Sequence, residues 1–276
     1  MTALTLFAPA KVNLALHVLG RRADGYHELD SIVAFASVGD HLTLTPARDF
    51  AITATGPFAA ALPPGADNII ARAWVAAQQI AALFGKAMPP VAVHLEKNLP
   101  VASGIGGGSA NAAAALKGFL GLAGIAPDAP QVAAAALRLG ADVPVCLAGR
   151  ACRMQGVGER IAPLAAFAPR AALLVNPLVE VSTPAVFARL GLGKGQSFGT
   201  PIADEGDPAH WRNDLAAPAI ACAPVIGEVL ARLSASPGVT RAFMSGSGAT
   251  CVALLADDGV LPDVDPRWWS ARTVLG

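Results

Sequence analysis

Residues 99–111 constrain this chain more than any other segment: Leu99-Pro100-Val101-Ala102-Ser103-Gly104-Ile105-Gly106-Gly107-Gly108-Ser109-Ala110-Asn111. An alternating run with Val91, Val93 and Leu95 on one face leads through Lys97 into it, and an alanine-rich stretch follows, predicting strand, loop, then a helix over 109–122. Four of the five positions 104–108 are glycine. Glycine takes up backbone conformations closed to other residues and lets a ligand approach the main chain. Unpaired N–H groups converge at the start of a helix, where the dipole favours negative charge. A tight turn alone needs fewer glycines, so the pattern predicts a phosphate-binding loop. Two familiar phosphate motifs are excluded. No Lys follows the glycines as a P-loop requires, and Ser109 stands where the dinucleotide fingerprint needs its last glycine.

On either side, the chain mixes strands and helices. Period-two alternation predicts strands over 4–7 and 11–19, broken by Pro9, and continues through Ile32, Ala34, Leu42, Leu44, Phe50 and Ile52. Asp67 or Asn68 caps a helix running to about Leu83, and Asp128 and Pro130 open another that Gly140 stops. Strands follow at 152–155, 160–163, 171–175, 240–244 and 250–255, with helices at 183–190 and 225–234. Residues 191–207, rich in glycine and polar side chains, read as a surface loop. The order implies an α+β fold with a boundary near 150–165.

Composition narrows the function. The 276 residues are 54% apolar and only 14% charged, against about 25% charged in an average soluble domain. Alanine accounts for most of the excess. The longest suspicious stretch, 215–227, is too short to span a bilayer and holds Pro218 and Pro224. The first charge, Lys11, follows the first apolar residues instead of preceding them, unlike a secretory signal, so a cytoplasmic location is expected. Net charge is zero without a basic stripe, which argues against nucleic acid or an anionic membrane as partner. Cys146, Cys152, Cys222 and Cys251 lack metal-ligand spacing and read as small buried hydrophobes.

Three further segments carry chemistry. Ala8-Pro9-Ala10-Lys11-Val12-Asn13-Leu14 places Lys11, Asn13, Ala15 and His17 on one strand face, and Asp24-Gly25 then makes a turn presenting Tyr26 and His27. Asp142 lies in Gly140-Ala141-Asp142-Val143-Pro144, where a helix cap alone would explain an aspartate. Near the C-terminus stands a small polar turn, Met244-Ser245-Gly246-Ser247-Gly248-Ala249-Thr250.

Together these segments resemble the three motifs of the GHMP kinases, and the resemblance covers nearly the whole chain. The triple glycine with Ser109 and Asn111, and the Asp-Gly-Tyr-His-Glu-Leu run at 24–29, are most similar to the subfamily acting on a cytidine diphosphate-linked sugar alcohol in the non-mevalonate route to isoprenoid precursors. Gly140–Pro144 and Arg212-Asn213-Asp214-Leu215 also resemble that subfamily. Ala110 departs from the family, which often carries a second Ser there; Ser109 or the phosphates themselves must then serve magnesium.

The resemblance implies a two-lobed fold: an N-terminal ATP-binding domain over 1–155, a ferredoxin-like C-terminal domain over 156–276, and the active site in the cleft between them. It implies a kinase using ATP with Mg2+ on a small-molecule alcohol. Asp142 is expected as general base or as an orienting group for the hydroxyl, with Lys11 as its cationic partner. Residues 100–111 wrap the ATP phosphates, with Asn68, Lys97 and Asn111 near adenine and ribose. On the substrate side it implies Asn13, Tyr26, His27, Val157, Thr183 and Phe187, with Tyr26 and Phe187 stacking on cytosine and His27 reading its edge. From the residues alone, Asn68 is also a helix cap and Phe187 also a core residue. Homoserine and mevalonate-type kinases, and a non-catalytic sensor on the same fold, are the alternatives.

Overall fold

Alternating side chains set the sheets. The computed structural model describes residues 3–256 and 260–276, and its contacts divide the chain into two compact units. The first comprises Met1–Ala10, Gly39–Val101 and Gly107–Gly149; the second comprises Lys11–Val38, Ala102–Gly106 and Arg150–Gly276. Two long strands, β1 (Leu4–Arg21) and β2 (His27–Pro46), each contribute to both. Pro9 does not interrupt β1, contrary to the sequence expectation. β1 pairs with β2 and with no other named strand, and an edge strand tolerates a residue without an N–H.

In the first unit, the C-terminal part of β2 pairs antiparallel with β4 (Val91–Glu96), and β3 (Ala51–Thr55) runs parallel to β4. The register sets Leu42 opposite Leu95 and Leu44 opposite Val93, all four buried, so one face is apolar. Between β3 and β4 lies α1 (Ile69–Leu83), capped by Asn68, whose Oδ1 accepts from Ile70 N at 2.9 Å. Such a cap contributes about 1 kcal/mol. Phe50, expected to continue a strand, lies outside one and stacks on Trp74 with centroids 4.8 Å apart.

α2 (Gly107–Leu122) is buried on nearly every side: Ala110, Ala112, Ala113, Ala115, Leu116 and Phe119 are all covered. A helix apolar all round belongs inside a core, and alanine's small side chain lets its neighbours approach closely. α3 (Pro130–Leu139) and the short α4 (Val143–Ala148), which sequence reading missed, complete the unit. α3 is preceded by Ala129 at the cap position, not by Asp128.

In the second unit, β5 (Cys152–Gly156) pairs with β2 and with β6 (Arg160–Pro163). β7 (Arg170–Asn176) is followed by three helices, α5 (Thr183–Ala188), α6 (Ala216–Cys222) and α7 (Val225–Ser234). β8 (Val239–Met244) and β9 (Cys251–Leu255) form a hairpin, and β9 pairs with β7. Sequence reading missed α6 and also β10 (Trp269–Leu275), whose partner along its whole length is β7. Ile226, Val229 and Leu233 line one face of α7 and pack with Val186, Leu215, Leu173, Val175, Met244 and Cys251.

Residues 191–207 contain no named strand or helix, yet they follow β1 closely. Gly195 N donates to Arg21 O (2.7 Å), Phe198 N to Leu19 O (2.8 Å) and Gly199 N to Val18 O (3.0 Å). Ile202 is buried and its N–H donates to Asp30, which also takes a bidentate pair from Arg153. No helix among the described residues is long and apolar enough to cross a membrane.

Candidate active site

The glycine loop is divided between the two units. In the second, Lys11 N donates to Ile105 O at 2.9 Å. Thr250 donates twice to Ser103 O, from N at 3.1 Å and from Oγ1 at 2.6 Å. Ser245 Oγ donates to Gly104 O at 3.0 Å and accepts from Asn13 N at 3.0 Å. The late glycine turn therefore carries the first half of the loop on its own polar atoms. The contact is close enough to require glycine on both sides. Gly104 has φ +76°, and a Cβ there would stand 2.6 Å from Gly248 O; Gly246 has φ +57°, and a Cβ there would stand 2.8 Å from Gly104 O.

Lys11 lies across the same loop, buried, and a Cβ on Gly106 would be 3.1 Å from Lys11 Cε. Lys11 Nζ donates to Asn13 Oδ1 at 2.8 Å, and Asn13 Nδ2 donates to Ser31 Oγ at 2.7 Å. Ser31 Oγ donates to Ala15 O at 2.6 Å, which fixes the direction of the whole chain of donors. Asn213, in the Arg212–Leu215 segment, donates from Nδ2 to Met244 O and Gly246 O, both at 2.8 Å, and so braces the supporting turn. Asn176 Nδ2 holds Thr250 Oγ1 at 2.8 Å. Ser245 and Thr250 lie in the late motif segment, whereas Ser31 and Asn176 escaped sequence reading; single buried Ser and Asn residues carry no periodic signal.

In the first unit, α2 begins at Gly107, earlier than expected, so the glycine run itself supplies the N–H groups left without helical partners. Lys97 is buried, and its Nζ lies 3.3 Å from where a Gly107 Cβ would be. Burial lowers the Lys97 pKa below its ordinary value, opposed by Asp40, whose carboxylate accepts from Lys97 Nζ at 2.6 Å. Asn111 is buried with Oδ1 lacking a partner among the described residues, as fits an acceptor reserved for a ligand donor. A Cβ on Gly140 would lie 3.9 Å from Ser109 Oγ, so the segment holding Asp142 stands next to the start of α2. Asp142 occupies the cap position of α4, but its side chain makes no capping hydrogen bond. Pro100, Val101 and Ala102 lead into the loop, Ala102 at φ +51°.

The remaining expected substrate contacts lie in the second unit. The His27 ring sits against Phe187, centroids 4.6 Å apart, whereas Tyr26 is 61% exposed and has no ring against it among the described residues. Phe187 is half-buried, its apolar body packed on the core cluster. Burial, then the Arg21 charge, holds the His27 pKa below 6.5. Thr183 Oγ1 is 2.7 Å from Ser247 Oγ, which ties α5 to the supporting turn. Val157 is half-buried in the turn after β5, its N–H donating to Glu159. Burial pushes the thiol of Cys152 up to about 11 and that of Cys251 up to about 12, which disfavours a thiolate at either. Cys222 is only half-buried.

Residues 68–150 match the family described as GHMP kinases N terminal domain, and residues 202–264 match GHMP kinases C terminal. A 4-diphosphocytidyl-2-C-methyl-D-erythritol kinase of Paramagnetospirillum magneticum is 46% identical over all of this chain and 99% of its own length. The chain belongs to the GHMP kinase family. Its members are ATP-dependent phosphotransferases, and this GHMP kinase is one of them. A second relative, of the same description in Methylorubrum extorquens, is 48% identical, with both chains covered in full. The crystal structure of a 4-(cytidine 5'-diphospho)-2C-methyl-D-erythritol kinase superposes with a TM-score of 0.76 at 32% identity, covering 99% of each chain. A homoserine kinase from Cytophaga hutchinsonii, 18% identical with a TM-score of 0.67, shares the fold over 94% of this chain and 86% of its own.

Proposed function

We propose that this GHMP kinase transfers the γ-phosphoryl group of ATP to the C2 hydroxyl of 4-diphosphocytidyl-2-C-methyl-D-erythritol, giving the 2-phosphate and ADP. The observation that carries the reading is the full-length identity of 46–48% to relatives described as kinases of that compound. Retention of the Asp24-Gly25-Tyr26-His27 turn, with His27 on Phe187, supports it at the residues that would meet cytosine.

Phosphoryl transfer demands positioning and charge neutralisation more than covalent chemistry from the protein. Residues 100–111 cradle the phosphates through backbone N–H groups at the start of α2; the Lys97 ammonium, which the resemblance implied near adenine and ribose, stands beside Gly107 and is assigned to the phosphates instead. Asn68 and Asn111 hold the nucleoside end, Asn68 serving at once as a cap. Ser109, at the start of α2, or the phosphates themselves would hold magnesium, which would supply neutralisation of the charge developing on the phosphates. Asp142 accepts the proton of the attacking hydroxyl and Lys11 stabilises the oxygen as it becomes an alkoxide. Asn13 fixes Lys11 through the 2.8 Å hydrogen bond to Nζ. Tyr26 and Phe187 offer faces to the cytosine ring, His27 reads its edge, and Thr183 and Val157 line the same substrate region. The reading keeps residues 1–155 as the N-terminal, ATP-binding domain and 156–276 as the C-terminal domain.

The test is the position of the new bond. Incubation with ATP, magnesium and the cytidylyl sugar alcohol, followed by proton-coupled 31P NMR of the product, should give one phosphomonoester resonance with no three-bond proton coupling, as a phosphate on the hydrogen-free C2 requires, with the diphosphate intact. No new phosphomonoester, or phosphorylation elsewhere on the molecule, contradicts the reading.

A further inference from the structure

We propose that Asp40 is a positioning residue for phosphate binding: it holds the Lys97 ammonium at the N-terminus of α2 and fixes the turn that feeds the glycine loop. The proposal rests on the reading that this loop cradles ATP. Asp40 is fully buried and satisfies three donors. Its Oδ2 accepts from Lys97 Nζ at 2.6 Å, and its Oδ1 accepts from Asn98 N at 2.7 Å and Leu99 N at 2.9 Å. The two amides belong to the residues that leave β4 for the loop. One carboxylate therefore sets both the path of the chain into the glycines and the place of the cation beside them.

The pair is costly to bury, and a buried ion pair is often no more stable than an apolar replacement. Its position argues for a role beyond stability. Lys97 Nζ lies 3.3 Å from the Cβ position of Gly107, the first residue of α2. A cation there adds to a helix terminus already suited to an anion. The charged groups around Lys97 are few. Asp40 acts from β2, Gly107 on α2 carries no side chain, and Glu96 on β4 is exposed and accepts from Asn98 Nδ2 at 3.2 Å. Burial lowers the Lys97 pKa and Asp40 opposes that shift. Bound phosphates favour the ammonium, so affinity is full below the Lys97 pKa of the free protein and is lost as pH rises through it. Removing the Asp40 charge moves that loss to lower pH.

The experiment is calorimetric titration of a non-hydrolysable ATP analogue with magnesium, from about pH 6.5 to about pH 9, a span set below the ordinary lysine pKa. Asp40→Asn keeps an acceptor for the two amides and deletes the charge. It should bind about ten-fold more weakly and lose affinity faster than wild type as pH rises. Lys97→Met should bind weakly with no such slope, and Asp40→Asn/Lys97→Met should match Lys97→Met. Should Asp40→Asn fail to fold, Asp40→Glu keeps the charge but displaces it by one methylene, and should weaken binding without adding a slope. Wild-type affinity and slope in a folded Asp40→Asn or Asp40→Glu protein, or a slope that persists without Lys97, overturns the proposal. Failure of the wild type itself to bind the analogue overturns the loop reading instead.

Discussion

Asp142 and His27 are the residues whose roles are most open to a single substitution. Asp142→Asn should leave ATP affinity largely intact and lower turnover about 100-fold or more, the scale of a lost general base. Near-normal turnover in the folded variant, followed in a coupled ADP-release assay, would leave Asp142 as an orienting group at most. His27 makes a pH prediction. Its pKa is held below 6.5 by burial and by Arg21, so the ring is neutral at neutral pH. A neutral imidazole offers one donor and one acceptor to a base edge. Substrate affinity should be level above about pH 6.5 and fall as pH drops through the lowered His27 pKa, because the bound form prefers the neutral ring. His27→Gln should flatten that acidic limb in substrate titrations from about pH 5.5 to about pH 8. Affinity that rises on acidification would contradict the role. At this scale the sequence was only partly legible. Lys11, Asn13 and Asp142 sat in recognisable patterns, while Asp40 and Ser31, both on β2, become visible only through the hydrogen bonds they make in the folded chain.

At the scale of elements, the two glycine turns form one device. Residues 102–106 rest on the Ser245–Thr250 turn through hydrogen bonds to Ser103 O and Gly104 O. The loop was readable from its glycine density, and the late turn only from its likeness to a family motif. Nothing in sequence spacing pairs residues so far apart. Gly104→Ala and Gly108→Ala separate support from ligand contact. Gly104→Ala puts a methyl group 2.6 Å from Gly248 O at a left-handed φ and should cost about 1–3 kcal/mol of stability as well as ATP affinity. Gly108 has open space around its Cβ position and stands in the first turn of a helix. Gly108→Ala should therefore hold or gain stability by roughly 0.5–1 kcal/mol while ATP binding weakens. Thermal melts beside calorimetry check both; a Gly104→Ala protein as stable as wild type would mean the turns are not braced as described. The missed elements have separate causes. α4 and α6 are short and hold internal prolines, and β10 alternates exposed side chains with covered ones of which only Thr273 and Leu275 are fully buried. Residues 191–207 looked like a loop because their order comes from hydrogen bonds to β1 and from Asp30, not from a periodic apolar face.

For the whole molecule, neither compact unit is continuous in sequence, because β1, β2 and the glycine loop each supply residues to both. Composition and charge bounded the class, the motifs reached the family, and the likeness over the full length supports the substrate. The central claim is that substrate choice follows the cytosine-reading turn. The most direct measurement is kcat/KM for the cytidylyl sugar alcohol, its uridylyl counterpart, homoserine and mevalonate, each with ATP and magnesium on one preparation. The account predicts turnover of the cytidylyl compound at least about 100-fold above the uridylyl form, since a site built for one hydrogen-bonding edge leaves polar groups unpaired with the other. It also predicts no measurable turnover of homoserine or mevalonate. Equal rates for the two nucleotides, or a preference for either small alcohol, would contradict it.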